Sequence, residues 1–377
     1  MRKIHSIIAT LSVALLLGSA GPVAAQFYTQ HNLVSDIPGL ADLTDSSLVN
    51  PWGLTASTTS PWWVANNETA TSTLYNGNTG AKVALTNLPC QCVNVPGAPT
   101  GIVFNGGSGF VVTRGGASGP ARFIFASEDG SISGWNPAVP PPVPPPPLVS
   151  SQAIVAVPPS DDNVYKGLAI ASTIPGDVAG DFLYAANFRA GRVDVFDYTF
   201  AKLPPGRFAD PGIPEGYAPF GIQNIGGIIY VTYALQDEDK EDDVRGMGHG
   251  FVNAFDTSGN LIRRVASRGT LNSPWGLALS PADFGTFSND LLVGNFGDGR
   301  IHAYDPTDIL DNGQYEHLGM LHSAGGPPLE IEGLWALRFG NGAAAGPMNT
   351  LFFNAGPDDE SHGRFGSIVH AGHPGKK

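Results

Sequence analysis

A glycine followed by an apolar residue, in most copies preceded by proline or an aromatic, recurs six times along this chain. The copies are 50–54 (NPWGL), 98–102 (APTGI), 164–168 (VYKGL), 218–222 (APFGI), 273–277 (SPWGL) and 330–334 (EIEGL). Their glycines stand at 53, 101, 167, 221, 276 and 333, so the spacings are 48, 66, 54, 55 and 57 residues. Periods of this length belong to solenoids and propellers, whose repeats bury their apolar faces only against one another. Helical repeats are a poor match, because no 3.6-residue periodicity runs through the copies and the 49 Gly and 32 Pro are spread along the whole chain.

Within each repeat the same order returns. An apolar run follows the glycine (277–279, LAL), and a second run ends in a polar turn (290–299, DLLVGNFGDG). A third run alternates apolar and polar residues (300–305, RIHAYD), and a weaker fourth leads to the next glycine. Alternation after a tight glycine turn is a hairpin signal. Four strands per repeat and six repeats predict an all-β, six-bladed β-propeller in one domain, 26–372, with blades starting near 51, 99, 165, 219, 274 and 331. Crowding of the innermost strands around the axis explains the glycines, which bring no Cβ. The last repeat runs out of chain before a fourth strand, while 30–35 (QHNLVS) has no blade of its own. That N-terminal segment is expected to close the ring as the outer strand of the last blade.

Outside the repeats, Arg2 and Lys3, an apolar core over 7–17 and small residues at 23–25 read as a signal peptide over 1–25 cleaved after Ala25, which implies a secreted or periplasmic protein. No later run is long and apolar enough for a transmembrane helix. Removing Arg2 and Lys3 from the 20 Lys+Arg leaves 18 against 33 Asp+Glu, a balance of −15. Such a chain is not built for nucleic acid or anionic membrane surfaces. The proline-rich run 137–147 is expected as a surface loop and 373–377 as a flexible tail. Cys90 and Cys92, two residues apart, are expected to form a local disulfide, with a soft-metal site as the alternative.

The runs 32–39 (NLVSDIPG), 271–279 (LNSPWGLAL), 291–301 (LLVGNFGDGRI) and 355–363 (AGPDDESHG) resemble a family of exported bacterial proteins without an assigned function. The resemblance spans nearly the whole mature chain. It implies a propeller similar in style to NHL-repeat and gluconolactonase-like proteins, and it lends no catalytic residues.

In a propeller, the loops before each inner strand and those joining second to third strands share one face around the channel. The residues before the six glycines are Trp52, Thr100, Lys166, Phe220, Trp275 and Glu332, and the second runs end at Asn66, Ser127, Asn187, Tyr233, Asn295 and Ala355. Lys166, Trp52, Trp275 and Tyr233 are therefore candidate ligand-binding residues. Glu332 with Asn66, Asn187 and Asn295 is a candidate oxygen set for Ca²⁺ or another divalent metal; the gluconolactonase-like arrangement is similar but carries Asn and Asp before the glycine, where this chain has bulky apolar groups. Recurring Asn equally suits turns. Two acidic runs, 237–243 leading on to His249 and 358–362 containing His362, make those histidines candidate general bases or transition-metal ligands. No nucleophile motif accompanies them. These residues predict a monomer that binds a small molecule, a glycan (through Trp52, Trp62, Trp63 and Trp275) or an envelope protein, with a metal-assisted hydrolase, lactonase or lyase as the alternative.

Overall fold

The computed structural model describes residues 27–85, 88–142, 149–174 and 176–371. The signal peptide, the tail 373–377 and part of the proline-rich run lie outside them. Apart from two 3₁₀ turns, Val178–Gly180 and Gly285–Phe287, the described elements are strands.

They form six blades around an axis. The first is Pro51–Thr55, Trp62–Asn66, Thr71–Tyr75 and Val93–Asn94. The second is Pro99–Phe104, Phe123–Ser127, Ile132–Trp135 and Ile154–Val157, with a hairpin of Val111–Arg114 and Ala117–Pro120 inserted. The third is Tyr165–Ser172, Asp181–Asn187 and Arg192–Asp197, and its outer position is a short return in which the Leu203 N–H donates to the Val195 carbonyl at 2.8 Å. The fourth and fifth run Tyr217–Ile225, Ile228–Leu235, Phe251–Phe255, Leu261–Ser267 and Pro274–Leu279, Leu291–Asn295, Ile301–Ile309, Tyr315–Met320. The sixth is Leu334–Phe339, Leu351–Ala355 and Arg364–Ala371, completed by the N-terminal Phe27–Ser35, which pairs antiparallel with Arg364–Ala371. The expected closing strand is therefore present, and Leu43–Thr44 adds a short parallel cover on its outer edge.

Period-2 alternation lets each sheet bury both faces. Trp62 packs toward the sixth blade and Trp63 toward the second, where it stacks on Phe123 at 3.8 Å between ring centres. Among the described residues, one apolar cluster lies between every pair of neighbouring blades, and a seventh lies on the axis.

The glycine ring has the predicted cause, with one correction. A Cβ on Gly53 would come within 2.5 Å of the Thr100 carbonyl oxygen, on Gly167 within 3.0 Å of the Phe220 oxygen, and on Gly276 within 2.5 Å of the Trp335 oxygen. Gly101 and Gly221 abut the next blade's backbone still more closely. In the last blade, however, Leu334 pairs with Ala355 as Pro51 pairs with Asn66 and Pro274 with Asn295. The sixth member of the ring is therefore Ala336, and the blade starts at 334, not near 331. Gly333 serves a different end: it sits at φ +66°, in the left-handed region, in the turn before the strand.

Candidate functional site

The corrected register decides what faces the axis. The residues in equivalent positions are Trp52, Thr100, Lys166, Phe220, Trp275 and Trp335; Glu332 drops out, exposed and accepting the Asp358 N–H at 3.2 Å. The aromatic members plug the channel. Phe296 stacks on Trp335 at 3.9 Å and Trp335 on Trp52 at 3.5 Å, with Phe220 and Trp275 edge-on or tilted around them. Each such pair contributes about 0.5–1.5 kcal/mol beyond its buried area.

Above the plug lies a basin of about 400 Å³ on the face predicted to gather the loops. Its carboxylates come from the turns after second strands: Glu68 from the first blade, Glu128 from the second, Glu241 and Asp242 from the fourth, Asp359 and Glu360 from the sixth. One buried cation lies at its base. Lys166, 1% exposed, donates to Glu128 Oε1 at 2.5 Å and Asp242 Oδ1 at 3.0 Å, and its Nζ lies 5.0 Å from the centre of the Trp52 ring. Burial opposes its charge, but Glu128 and Asp242 outweigh burial and push its pKa up to about 12.

Two asparagines fix the flanking carboxylates. Asn67 Nδ2 donates to Glu128 Oε2 at 2.8 Å. Asn50 accepts from Trp335 Nε1 at 3.0 Å and donates to Glu360 Oε2 at 2.8 Å, which ties plug to rim. Asn50 holds this position at φ 45°, a conformation asparagine tolerates better than most residues. Burial raises the Glu360 pKa to about 7, against Asn50 and Lys166, which lower it. Nearby Asp243 is raised as well, again chiefly by burial. On the rim, Arg189 contacts Glu241, and Arg245 lies 3.5 Å from Asp359 and 3.8 Å from Glu360 while covering the Phe296 ring at 4.5 Å. The carboxylates Glu68, Glu128, Glu241, Asp242, Asp359 and Glu360 thus face three cations.

Of the residues singled out from sequence, Lys166, Trp52 and Trp275 meet at the axis, but the two tryptophans belong to the plug. Trp52, Trp62 and Trp63 are 2%, 1% and 3% exposed, so they offer no glycan platform. Tyr233 is buried between the third and fourth blades, not on the basin. The candidate metal set does not assemble. Asn66 donates to Thr71 and Thr73 at 3.1 and 3.0 Å within its own hairpin, Asn187 to Asp194 across its hairpin and to Asn163 in the loop before its blade, both at 2.7 Å, and Asn295 to the Thr270 carbonyl in the connection from the fourth blade at 2.8 Å, so each amide is engaged apart from the others. Among the described residues, no three His, Cys, Asp or Glu side chains are grouped to hold a metal ion.

The two histidines sit in corresponding loops but do not meet in the basin. His249 Nδ1 lies 2.8 Å from the Val244 carbonyl and pins its own loop. His362 Nδ1 lies 2.7 Å from Asp36 Oδ2, and that contact raises its pKa. Cys90 and Cys92 are joined by a disulfide. Glu68, Glu128 and Trp335 went unnoticed in the sequence. The first two carried a signal, since each follows the end of a second strand by one or two residues.

No family model matches the chain. In structure it is similar to virginiamycin B lyase from Staphylococcus aureus, with a TM-score of 0.51 over 92% of this chain and 99% of that one at 12% identity, which is a likeness of fold. In sequence it is 33% identical over 370 residues to uncharacterized protein R648 of Acanthamoeba polyphaga mimivirus, covering 96% of this chain and 86% of the relative. It is 32% identical over 343 residues to uncharacterized protein L690 of the same virus, covering 89% and 84%. The chain therefore belongs to the family of these mimivirus proteins.

Proposed function

We propose that this chain is an exported binding propeller whose axial basin takes a cationic organic molecule, such as a polyamine. One observation carries the reading: six carboxylates from four blades converge above a single buried lysine already matched by two of them. The surplus negative charge, concentrated in a concave site over a low-dielectric aromatic floor, attracts cations and raises their local concentration. A volume of about 400 Å³ suits a small organic molecule better than a bare metal ion, and among the described residues no three carboxylates are grouped to hold one. Export rests on the signal-like leader, and the resemblance to exported bacterial proteins supports it.

The test is titration calorimetry of the chain with spermidine at low and high salt. Binding is expected to weaken as salt rises and to strengthen from pH 6 to pH 8, as Glu360 ionises. Asp359→Asn and Glu241→Gln should each weaken it by roughly two- to fivefold, as expected for partly solvated charges. A folded protein that gives no heat with spermidine at low salt and pH 8 refutes the reading.

A second reading, an acid–base enzyme working in the same basin, is favoured by Glu360, whose pKa near 7 suits proton exchange at neutral pH. It requires that a bound amine be converted to product by the native chain and left intact by Glu360→Gln.

A further inference from the structure

Below the aromatic plug the channel opens into a second, much smaller cavity of about 20 Å³, lined by residues of all six inner strands. Its walls are mostly apolar, as at Leu54, Ile102, Leu168 and Leu277, but two lining side chains are polar: Gln223 and Arg338. Arg338 lies on the inner strand of the sixth blade, two residues beyond Ala336. Among the described residues its guanidinium has no ion pair and no hydrogen bond, and the Gln223 side chain has no hydrogen bond either. Every carboxylate of the axial basin lies across the plug.

A guanidinium partly withdrawn from water is costly unless an opposite charge and acceptors meet it. Burial lowers the Arg338 pKa to about 10, which leaves it charged at neutral pH. Proton loss therefore does not neutralise it, and among the described residues no carboxylate does so, which leaves the N–H groups of this half-buried side chain to water or to a bound anion. We infer that Arg338 and Gln223 hold a small monovalent anion of chloride size in the lower channel. The guanidinium carries only N–H donors, set in a fixed fork, and the glutamine amide adds an NH₂ group that can turn toward such an ion. The cavity sets the size, because about 20 Å³ has room for a single small ion and cannot enclose an organic acid as large as gluconate. The remainder of the molecule argues against loose anion uptake, since the chain carries a net charge of −13.

The experiment is thermal unfolding of the full chain at constant ionic strength, with sodium gluconate replaced stepwise by sodium chloride or bromide. Both halides are expected to raise Tm along a saturating curve by about 2–4 °C or more, and gluconate, too large for the cavity, is not. Arg338→Gln should unfold at one Tm in all three salts. Crystals grown in bromide should show an anomalous peak in contact with the Arg338 guanidinium. Equal Tm in gluconate and chloride overturns the inference, as does the absence of the bromide peak. If Arg338→Gln does not fold, the bromide peak in the native chain decides alone.

Discussion

A methyl group on Gly221 would press into the backbone of Trp275 in the next blade, which cannot move without shifting the whole inner ring. Gly221→Ala is expected to cost about 3 kcal/mol, read as a drop in urea midpoint at constant slope. Ala336→Gly reverses the change at the one ring position that already carries a Cβ, and should cost about 1 kcal/mol or less. Equal effects from the two would contradict the corrected register.

Glu360 makes a second residue-scale prediction. Its carboxyl titrates near 4.5 when unfolded and near 7 when folded, so the native state holds the extra proton between those values. That contribution is fully present below about pH 4.5 and is lost as pH rises through 7. With the side chain 30% exposed, screening leaves about 1–3 kcal/mol. Glu360→Gln should therefore raise Tm at pH 8 and change it little at pH 5, and a parallel pH profile in both proteins would contradict it. Little of this was legible beforehand. The acidic loop around Glu360 was visible, but its burial against Asn50 depends on a side chain 310 positions away.

Among the elements, the closing strand Phe27–Ser35 matters most. It pairs along Arg364–Ala371 and buries Tyr28, whose hydroxyl donates to the Phe284 carbonyl at 3.0 Å in the fifth blade. Its loss would expose a full sheet edge and open a cluster shared by two blades. Deleting 27–37 is expected to abolish cooperative unfolding, and a deletion protein that melts as the native one does would refute the strand's role. This element was legible because a chain ending one strand short of a blade leaves one place for an unassigned segment. The asparagines at the second-strand ends show the opposite case. Asn66, Asn187 and Asn295 do end their second strands, but the amides of Asn66 and Asn187 bond within their own hairpins and that of Asn295 to the Thr270 carbonyl in the loop before its blade, so equivalent positions did not become a shared site.

At the scale of the whole molecule, Lys166 joins three blades, since it comes from the third and its partners Glu128 and Asp242 from the second and fourth. Replacing it leaves carboxylates that are 29% and 76% exposed and able to rehydrate, so the loss is smaller than for a fully buried pair. Lys166→Met is expected to cost about 1–3 kcal/mol in calorimetric unfolding and, by removing the buried positive charge, to tighten spermidine binding. Weaker spermidine binding in a folded Lys166→Met protein would count against the cationic-ligand reading. The basin above the plug and the cavity around Arg338 below it give the two ends of one channel opposite charge preferences.

The sequence by itself determined the ring: six repeats, the strand order within them, the face on which loops gather, and the closing strand. These follow from local periodicity and from the need of every repeat for a neighbour. Only the tertiary structure decided what lies on the axis. A three-residue difference between motif and strand register in the last blade replaces Glu332 with Trp335, which turns an expected polar metal site into an aromatic plug. The reason is physical: the five earlier glycines stand where an inner strand meets the backbone of the next blade, whereas Gly333 sits at φ +66° in the turn before its strand and abuts the Gly356 carbonyl of its own blade.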